Sequence, residues 1–201
     1  MPDNKDIEET RRRQILDAAE KVFVVRGIDK ARMDDIVEES GLSKGALYWY
    51  FKSKDAIIRA VVDRVFISEM REAETLVSTE GLASERLKTF VGFAVREYKR
   101  IEKLLPLAYE FIALAARSKT VRETVVIYFN RYKDILADVI QQGIDRGEFK
   151  PCDPETMAIS IISMYEGMAM LWFIEPKLVD WDVMGLEPIE TILAGLAMEN
   201  G

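Results

Sequence analysis

Apolar residues recur every three to four positions along most of the chain, and no stretch alternates cleanly between apolar and polar residues. This period predicts helices and argues against a sheet. The first predicted helix has an apolar face of Ile15, Ala19, Val22 and Phe23. It is expected to end at Gly27, because glycine commonly follows the last turn of a helix. The pattern as a whole predicts an all-α fold of about nine helices.

A short helix is predicted at residues 33–40, with Ile36 and Val37 turned inward. It is followed by a tight turn at Gly41-Leu42. A glycine turn lets two short helices meet at a steep angle, which is the geometry of a helix-turn-helix.

Serine residues indicate where the next two helices begin, because serine is a favoured N-cap residue. Ser43 is expected to cap a third short helix that runs through Tyr50, and Ser53 a long fourth helix that starts at Lys54. The remaining helices are expected at 83–101, 104–117, 120–146, 154–175 and 186–198, with breaks at Thr79–Gly81, Gly147 to Pro154, and Pro176 to Gly185.

The composition removes several function classes. The chain has 201 residues, no histidine and a single cysteine, Cys152. Catalytic triads, cysteine–histidine dyads and most zinc sites need histidine, so no catalytic residue and no metal site is expected. One cysteine forms no internal disulfide, which fits a reducing compartment such as the cytoplasm. Cys152 is either a redox-sensing thiol or an incidental residue, and the second is favoured because no activating group lies near it in sequence.

The net charge of −7 is unevenly distributed. Residues 1–60 carry 12 basic and 12 acidic side chains, so the excess of acid lies in the rest of the chain. A local positive patch permits DNA binding by the front of an otherwise acidic protein. Within residues 41–60 the patch consists of Lys44, Lys52, Lys54 and Arg59 against Asp55.

No targeting signal or membrane span is expected. The first 13 residues lack the apolar core of a signal peptide. The longest apolar run, residues 157–174, carries Glu166 near its middle and has no basic anchors at its ends. A helix that is apolar all round is also found buried on two sides, by its own core and by a partner subunit. This second interpretation is favoured.

The start of the third helix has the residue types that a DNA-reading helix requires. Such a helix places its N-terminal residues against base edges, where small or polar side chains are needed. These are Ser43, Lys44, Gly45 and Ala46. Candidate phosphate-binding groups follow at Tyr48, Trp49, Lys52 and Lys54.

Gly45 has two interpretations, because glycine within a helix costs about 1 kcal/mol relative to alanine. Either the helix backbone approaches DNA closely there, or the helix packs tightly against another helix, and the first is favoured. By helical spacing Leu47 and Phe51 lie on the inner face of the third helix. This leaves Tyr48 and Trp49 as the exposed aromatic residues.

Residues 15–57 contain ILDAAEKVFVVRG and then MDDIVEESGLSKGALYWYFKSKDAI. This string resembles the N-terminal region of the TetR family of bacterial transcriptional regulators, in order and with matching spacing. GLSKGALYWYF with the following KSK is its most specific part. The resemblance implies a homodimer that binds a palindromic operator in double-stranded DNA, usually as a repressor, until a small-molecule effector releases it. The implied domains are a helix-turn-helix DNA-binding domain at 1–53 and a helical ligand-binding and dimerisation domain at 54–201.

The resemblance carries over to individual residues. Residues 43–46 match the start of the family's recognition helix, which contacts bases and phosphates. Tyr48 matches the tyrosine that usually holds phosphate, and Trp49 lies at a variable contact position. Lys54 matches the lysine at the start of the fourth helix, whose N-terminus also favours a phosphate.

Two basic segments leave alternatives open. Relatives usually have Ser or Thr just before the second helix, where this chain has Ala31-Arg32. An arginine contact from Arg32 therefore replaces the hydroxyl–phosphate contact, or the contact is absent. The run from Arg11 to Arg13 either adds contacts from an N-terminal arm or is a solvated charge run.

The C-terminal helices predict a dimer interface. The helix at 154–175 is apolar on nearly every face, and the one at 186–198 is amphipathic. Two such helices from each subunit bury each other as a four-helix bundle.

Two isolated carboxyls are candidate ligand-binding groups. Glu110 and Glu166 each lie in an apolar helix, and a carboxyl in apolar surroundings needs a partner or becomes neutral. In the first interpretation, Glu110 or Glu166 orients a ligand, and a cationic lipophilic compound is one candidate. In the second, each is a carboxylate at a helix edge that is solvated or paired with an arginine such as Arg131. The second interpretation is favoured for both. The candidate pocket walls are Tyr109, Phe111, Tyr128, Met164, Met168 and Trp172, and the alternative for them is ordinary core packing.

Two function classes other than a ligand-responsive repressor make different demands on the sequence. An enzyme on a helical bundle is disfavoured, because the chain has neither a Gly-rich phosphate loop nor a Glu-x-x-His metal motif, and no cofactor is expected. An interaction module whose helix-turn-helix contacts protein can be distinguished from a DNA-binding regulator by salt dependence, because DNA binding weakens steeply as the salt concentration rises. Activation in place of repression also stays open, because it depends on where the operator lies.

Overall fold

The computed structural model describes residues 4–66, 70–77 and 80–198, and in this part of the chain the protein is helical with no β-strand. The all-α prediction is confirmed. Two short 3-10 turns, Glu102–Leu104 and Pro176–Leu178, join longer elements. The α-helices are α1 (Asn4–Arg26), α2 (Met33–Ser40), α3 (Lys44–Tyr50), α4 (Lys54–Phe66), α5 (Met70–Val77), α6 (Ala83–Arg100), α7 (Leu105–Ala115), α8 (Lys119–Asp145), α9 (Pro154–Ile174), α10 (Trp181–Met184) and α11 (Glu187–Leu196).

The described residues divide into two compact units. The first comprises residues 1–68 and 104–126, and the second comprises residues 69–103 and 127–201. In the first unit α1 packs against α2, α4 and α7, and α4 packs against α7. These units are defined by packing, whereas the boundary expected after residue 53 divides the chain by function. That boundary stays a prediction.

The core of the first unit is built from the apolar faces that the sequence pattern indicates. All four predicted inner residues of α1 are buried, as is Ile36 of α2, while Val37 is half-buried. Gly27 follows the end of α1 with φ +77°, and its N–H donates to the carbonyl of Phe23. Pro106 lies in the first turn of α7, where a missing N–H is harmless.

In the second unit α6 packs against α5 and α11. Its core joins α6, the later turns of α8, α9 and α11, with Leu87, Leu136 and Ile189 fully buried. The expected bounds of these helices agree with the structure to within two residues. The turn α10 and the separate helix α5 were not foreseen, and Thr79 of the expected break lies outside the described residues.

Helix α9 is apolar on two sides but buried on one. It is the one helix in the described chain that is long and apolar enough to cross a membrane, and 28% of its apolar stretch is buried. Ala158, Ile161, Tyr165 and Ala169 face the core of the second unit. Large apolar side chains on the other face are exposed, namely Ile159, Met170, Leu171, Phe173 and Ile174.

Candidate nucleic-acid interface

The turn between α2 and α3 is fixed by backbone and side-chain hydrogen bonds. Gly41 has φ +66°, a value that favours glycine, and its N–H reaches the carbonyl of Val37 at 3.1 Å. The buried Ser40 hydroxyl donates to the same carbonyl. The carbonyl of Ser40 accepts a 2.7 Å hydrogen bond from the Gln14 side chain of α1. The helix-turn-helix predicted from the sequence is thus anchored on α1.

Helix α3 is held by its inner face and presents its N-terminus to solvent. The hydroxyl of Ser43 accepts from the N–H of Ala46 at 3.1 Å, which confirms the predicted N-cap. Leu47 and Phe51 are 0% and 2% exposed, which confirms them as the inner pair. Ser43, Lys44 and Gly45 are exposed and Ala46 is partly exposed. The beginning of α3 is therefore the part that is free to meet another molecule.

Two aromatic residues of α3 are exposed, as the helical spacing predicts. Trp49 is 62% exposed and Tyr48 36% exposed. The ring of Trp49 meets that of Tyr50 edge to face, with centroids 4.6 Å apart. Two aromatic side chains with donor groups thus lie on the outer surface beside the start of α3.

Gly45 is not required by packing inside the chain. A Cβ built at this position would have no atom within 4 Å, apart from neighbours in the chain and in its own helix. The alternative of tight packing against another helix therefore receives no support within the described residues. A glycine that weakens a short helix and faces solvent fits close approach of an external backbone.

Lys44 is paired with an acidic residue that the sequence analysis did not single out. Its Nζ lies 2.7 Å from Oδ1 of Asp34 in α2, and both side chains are mostly exposed. The hydrogen bond to Asp34 raises the pKa of Lys44. Residues spaced ten apart on two helices give no periodic signal, so this contact requires the turn geometry to be known.

The other two candidate lysines bind backbone carbonyls. Lys52 Nζ donates to the carbonyl of Tyr48 at 2.9 Å and is exposed. Lys54 is more enclosed, and its Nζ donates to the carbonyls of Ile28, Asp29 and Ala31 at 2.8, 3.2 and 3.1 Å. An ammonium group has three donors, so Lys54 holds the loop between α1 and α2. A direct phosphate hydrogen bond from Lys54 would require one of these bonds to break.

Arg32 lies at the N-cap of α2, on the surface. Its backbone N–H donates to Oδ2 of Asp35 at 2.8 Å, and Asp35 also pairs with Arg26 at 2.9 Å. In the N-terminal run, the guanidinium of Arg12 lies 4.7 Å above the ring of Phe51. Arg12 therefore packs on the helix-turn-helix rather than extending from it.

Glu110 also serves the loop between α1 and α2. Its Oε1 accepts from the N–H of Ile28 at 2.6 Å. Arg131, which was named as one example of an arginine partner, instead pairs with Glu74 at 2.6 Å. No sequence signal connects Glu110 with Ile28, since the bond joins residues 82 positions apart.

The candidate ligand-binding residues fall in different units. Tyr109, Glu110 and the fully buried Phe111 belong to the first unit. Those of the second unit are Tyr128, Met164, Glu166, Met168 and Trp172. Within the second unit, the hydroxyl of Tyr98 hydrogen-bonds the carboxyl of Glu166, and Tyr128 interacts with both electrostatically.

The environment of Glu166 is unusual for a carboxyl. The side chain keeps some accessible surface, yet the protein around it removes most of its hydration. This loss of water raises the pKa of Glu166 to about 7, and the hydrogen bond from Tyr98 opposes the shift only partly.

Cys152 is half-buried and burial raises the pKa of its thiol, which argues against a reactive thiolate.

Two family profiles match the chain. "Bacterial regulatory proteins, tetR family" matches residues 15–61, which include α2 and α3. "Tetracyclin repressor-like, C-terminal domain" matches residues 86–179. The helix-turn-helix described above therefore lies inside the first match.

Similar proteins match nearly the whole chain. The uncharacterized HTH-type transcriptional regulator YfiR of Bacillus subtilis is 27% identical over 90% of this chain and 89% of its own length. The HTH-type transcriptional regulator TtgR of Pseudomonas putida is 27% identical over 88% of this chain and 86% of its own length.

Among solved structures, a SmeT–triclosan complex has a TM-score of 0.82 at 24% identity, covering 95% of this chain and 93% of that chain. A structure of SmeT, the repressor of the Stenotrophomonas maltophilia multidrug efflux pump SmeDEF, has a TM-score of 0.76 at 25% identity, covering 94% and 91%. The shared fold extends over both units.

Proposed function

This chain belongs to the TetR family of bacterial transcriptional regulators, and we propose that it acts as a homodimeric repressor that leaves a palindromic operator when a small apolar or amphipathic ligand binds. Members of the family bind DNA operators and small-molecule ligands, and they are regulators rather than enzymes. A cytoplasmic location follows for a protein that acts on the chromosome.

The exposed start of α3 is the single observation that carries the proposal. Leu47 and Phe51 fix the helix to the first unit, while Ser43, Lys44 and Gly45 lie free of the core. A recognition helix in the major groove requires this arrangement, because its N-terminal residues must reach base edges without losing their support. We assign Ser43, Lys44, Gly45 and Ala46 to this contact.

Phosphate contacts are assigned to the groups that surround the start of α3. Tyr48 and Trp49 supply a phenol and an indole donor from the outer surface, and Lys52 supplies an exposed ammonium. Arg32 lies at the start of α2, where a helix N-terminus also favours an anion. Lys54 contributes by holding the loop that leads into α2, and by its charge.

Dimerisation is assigned to the outer faces of α9 and α11. Ile159, Met170 and Ile174 form an exposed apolar stripe on α9, with Gly167 between them. Burying such an apolar stripe against another protein surface is more favourable in free energy than leaving it in contact with water. A two-fold interface here gives two reading helices per assembly, and hence an inverted repeat in the operator. Light scattering at micromolar concentration is expected to give twice the chain mass of 23.0 kDa, and a monomer would reject the assignment.

Effector release is supported by the chemistry of the second unit and by a relative. The candidate pocket residues Tyr128, Glu166 and Trp172 combine aromatic surface with a carboxyl. The SmeT relative is a repressor, and it has been solved with triclosan, a small molecule. These observations favour repression and a small ligand of mainly apolar character.

A salt titration tests DNA binding before any operator is known. Association of the protein with a labelled duplex is measured by fluorescence anisotropy over a series of salt concentrations, with a Lys44→Ala/Lys52→Ala protein as control. We expect the logarithm of the association constant to fall linearly with the logarithm of salt concentration, with a slope nearer to zero for the control. Absence of binding at low salt, by a folded dimer, would reject the proposal in favour of a module that contacts protein.

A further inference from the structure

Four polar side chains of the second unit, which we call the Glu166 cluster, lie together among aromatic residues. They are Glu166 of α9, Tyr98 of α6, and Tyr128 and Tyr132 of α8. The rings of Tyr128 and Tyr132 meet edge to face with centroids 4.7 Å apart. Phe90 packs edge to face on Tyr132 at 5.4 Å. A carboxyl that keeps some accessible surface thus lies beside phenol groups and aromatic rings.

The charge of this carboxyl is not balanced by the side chains around it. Within the part of the chain that the structure describes, the interactions that set its ionisation are loss of water and the Tyr98 hydroxyl, and no lysine or arginine contributes. A desolvated carboxylate is unfavourable unless a cation or several donors compensate it. Protonation removes this charge, and a cation supplied by another molecule would instead stabilise the ionised form.

An aromatic path connects the cluster with a surface groove. The ring of Tyr98 stacks on Trp181 with centroids 5.7 Å apart and an interplanar angle of 15°. Trp172 meets Trp181 edge to face at 6.0 Å. Both tryptophans line a groove of about 590 Å³. Its charged lining residues are Glu102, Asp180, Asp182, Lys99 and Lys177, and Lys99 pairs with Asp182 at 2.7 Å. The packed rings of Trp172, Trp181 and Tyr98 thus link the wall of this groove with the Glu166 cluster.

Trp181 adds an unused hydrogen-bond donor. The residue is 5% exposed, and its Nε1–H is buried without an acceptor among the described residues. Buried donors are rarely left without a partner. An acceptor atom on a bound molecule would satisfy it.

We propose that the second unit binds an aromatic amine, whose ammonium group pairs with Glu166 and whose rings pack against Tyr98, Tyr128 and the two tryptophans. The ring faces favour the same cation through cation–π attraction. A hydrogen-bond acceptor on the molecule would engage Trp181. This assignment rests on the proposed function, and it names the chemical class of the effector.

The test compares two probes of equal size, 2-(2-naphthyl)ethylamine and 2-(2-naphthyl)ethanol, which differ in charge. Their affinities for the full-length protein are measured by calorimetry at pH 8. Wild type is expected to bind the amine at least about tenfold more tightly than the alcohol, as charge-assisted pairing predicts. In Glu166→Gln the two affinities are expected to agree within about twofold. Asp138→Asn, which removes an exposed acid of α8, is the matched control and should keep the preference for the amine.

A pH series on wild type gives the same information without any variant. The preference for the amine must increase from pH 6 to pH 8, because the carboxyl with its pKa of about 7 ionises in this interval. The titratable side chains that interact with this carboxyl are the phenols of Tyr98 and Tyr128, and phenols ordinarily titrate near pH 10, outside this interval.

Three results would overturn the assignment: equal affinities for amine and alcohol on wild type, a preference that survives in Glu166→Gln, or no binding of either probe at millimolar concentration. The salt titration with DNA is run on the same samples. Retained DNA binding with no preference for the amine would reject the effector class alone, whereas loss of DNA binding by a folded dimer would reject the proposed function.

Discussion

The carboxylate oxygen Oε1 of Glu110 lies 2.6 Å from the backbone nitrogen of Ile28. Lys54 binds the carbonyls of the same loop, so an acid from α7 and a base from α4 hold it together. All of these residues belong to the first unit. The loop leads directly into α2, and its position therefore sets where the helix-turn-helix begins.

The bond from Ile28 predicts a loss of stability when Glu110 is truncated. Ile28 is buried, and Glu110→Ala leaves its N–H without an acceptor, which costs about 1–3 kcal/mol. The measurement is the free energy of unfolding from denaturant titration. Glu123→Ala, which removes an exposed glutamate paired at 3.7 Å with Lys119, is the control and should change stability by less than about 0.5 kcal/mol. Equal effects of the two substitutions would show that the contact with Ile28 is not stabilising.

Gly45→Ala is expected to raise stability and to weaken DNA binding. The space around Gly45 is open, so alanine should stabilise α3 by about 0.5–1 kcal/mol through helix propensity. If Gly45 lets the helix backbone approach DNA closely, as proposed, the same methyl group should weaken operator binding. Gly92→Ala in α6 is the control, since its Cβ would meet only ordinary contacts, and it should leave DNA binding unchanged. Tighter DNA binding by Gly45→Ala would contradict close approach at this position.

Lys44→Ala tests whether α3 reads bases. If the side chain leaves Asp34 and reaches a base edge, its loss should reduce affinity for the operator about tenfold more than affinity for random duplex. Tyr48→Phe is the comparison, because a lost phosphate contact weakens binding to all sequences similarly. Competition binding with both kinds of duplex supplies the measurement. Equal losses for Lys44→Ala on operator and random DNA would place the lysine on the phosphate backbone.

The raised pKa of Glu166 predicts a pH-dependent stability. Its folded-state pKa of about 7 lies above the ordinary value of 4.5, so the unfolded chain releases this proton first. Stability is therefore lost as pH rises from about 4.5 and the loss is complete above about 7. Relative to wild type, Glu166→Gln should gain about 2–3 kcal/mol between pH 5 and pH 8. Denaturant unfolding at both pH values, at one protein concentration, measures this, and a constant difference would show that the carboxyl is well solvated.

The helices could be predicted from the sequence because their signals are local. Ser43 caps α3, Gly41 ends α2 and Pro106 starts α7 through interactions within a few residues. The inner pair Leu47 and Phe51 follows from the period of a helix. Such features depend on neighbours in the chain and are visible in the pattern.

The partners of charged groups could not be predicted, because they depend on helices meeting in space. Glu110 binds a backbone N–H that has no sequence signature, and Lys54 binds backbone carbonyls that its position in the sequence did not indicate. Asp34 became relevant only when the turn brought it to Lys44. Tyr98, absent from the candidate pocket, proved to be the residue that bonds Glu166.

Selection of bound sequences from a random duplex pool tests the central claim most directly. Wild-type protein and the Lys44→Ala/Tyr48→Phe variant are carried through the same rounds at low salt, after each is confirmed as a folded dimer. The account predicts that wild type alone recovers an inverted repeat, with half-sites one helical turn or a multiple of it apart. Recovery of no sequence by wild type, or of the same repeat by the variant, would contradict the assignment of α3 as the DNA-reading helix.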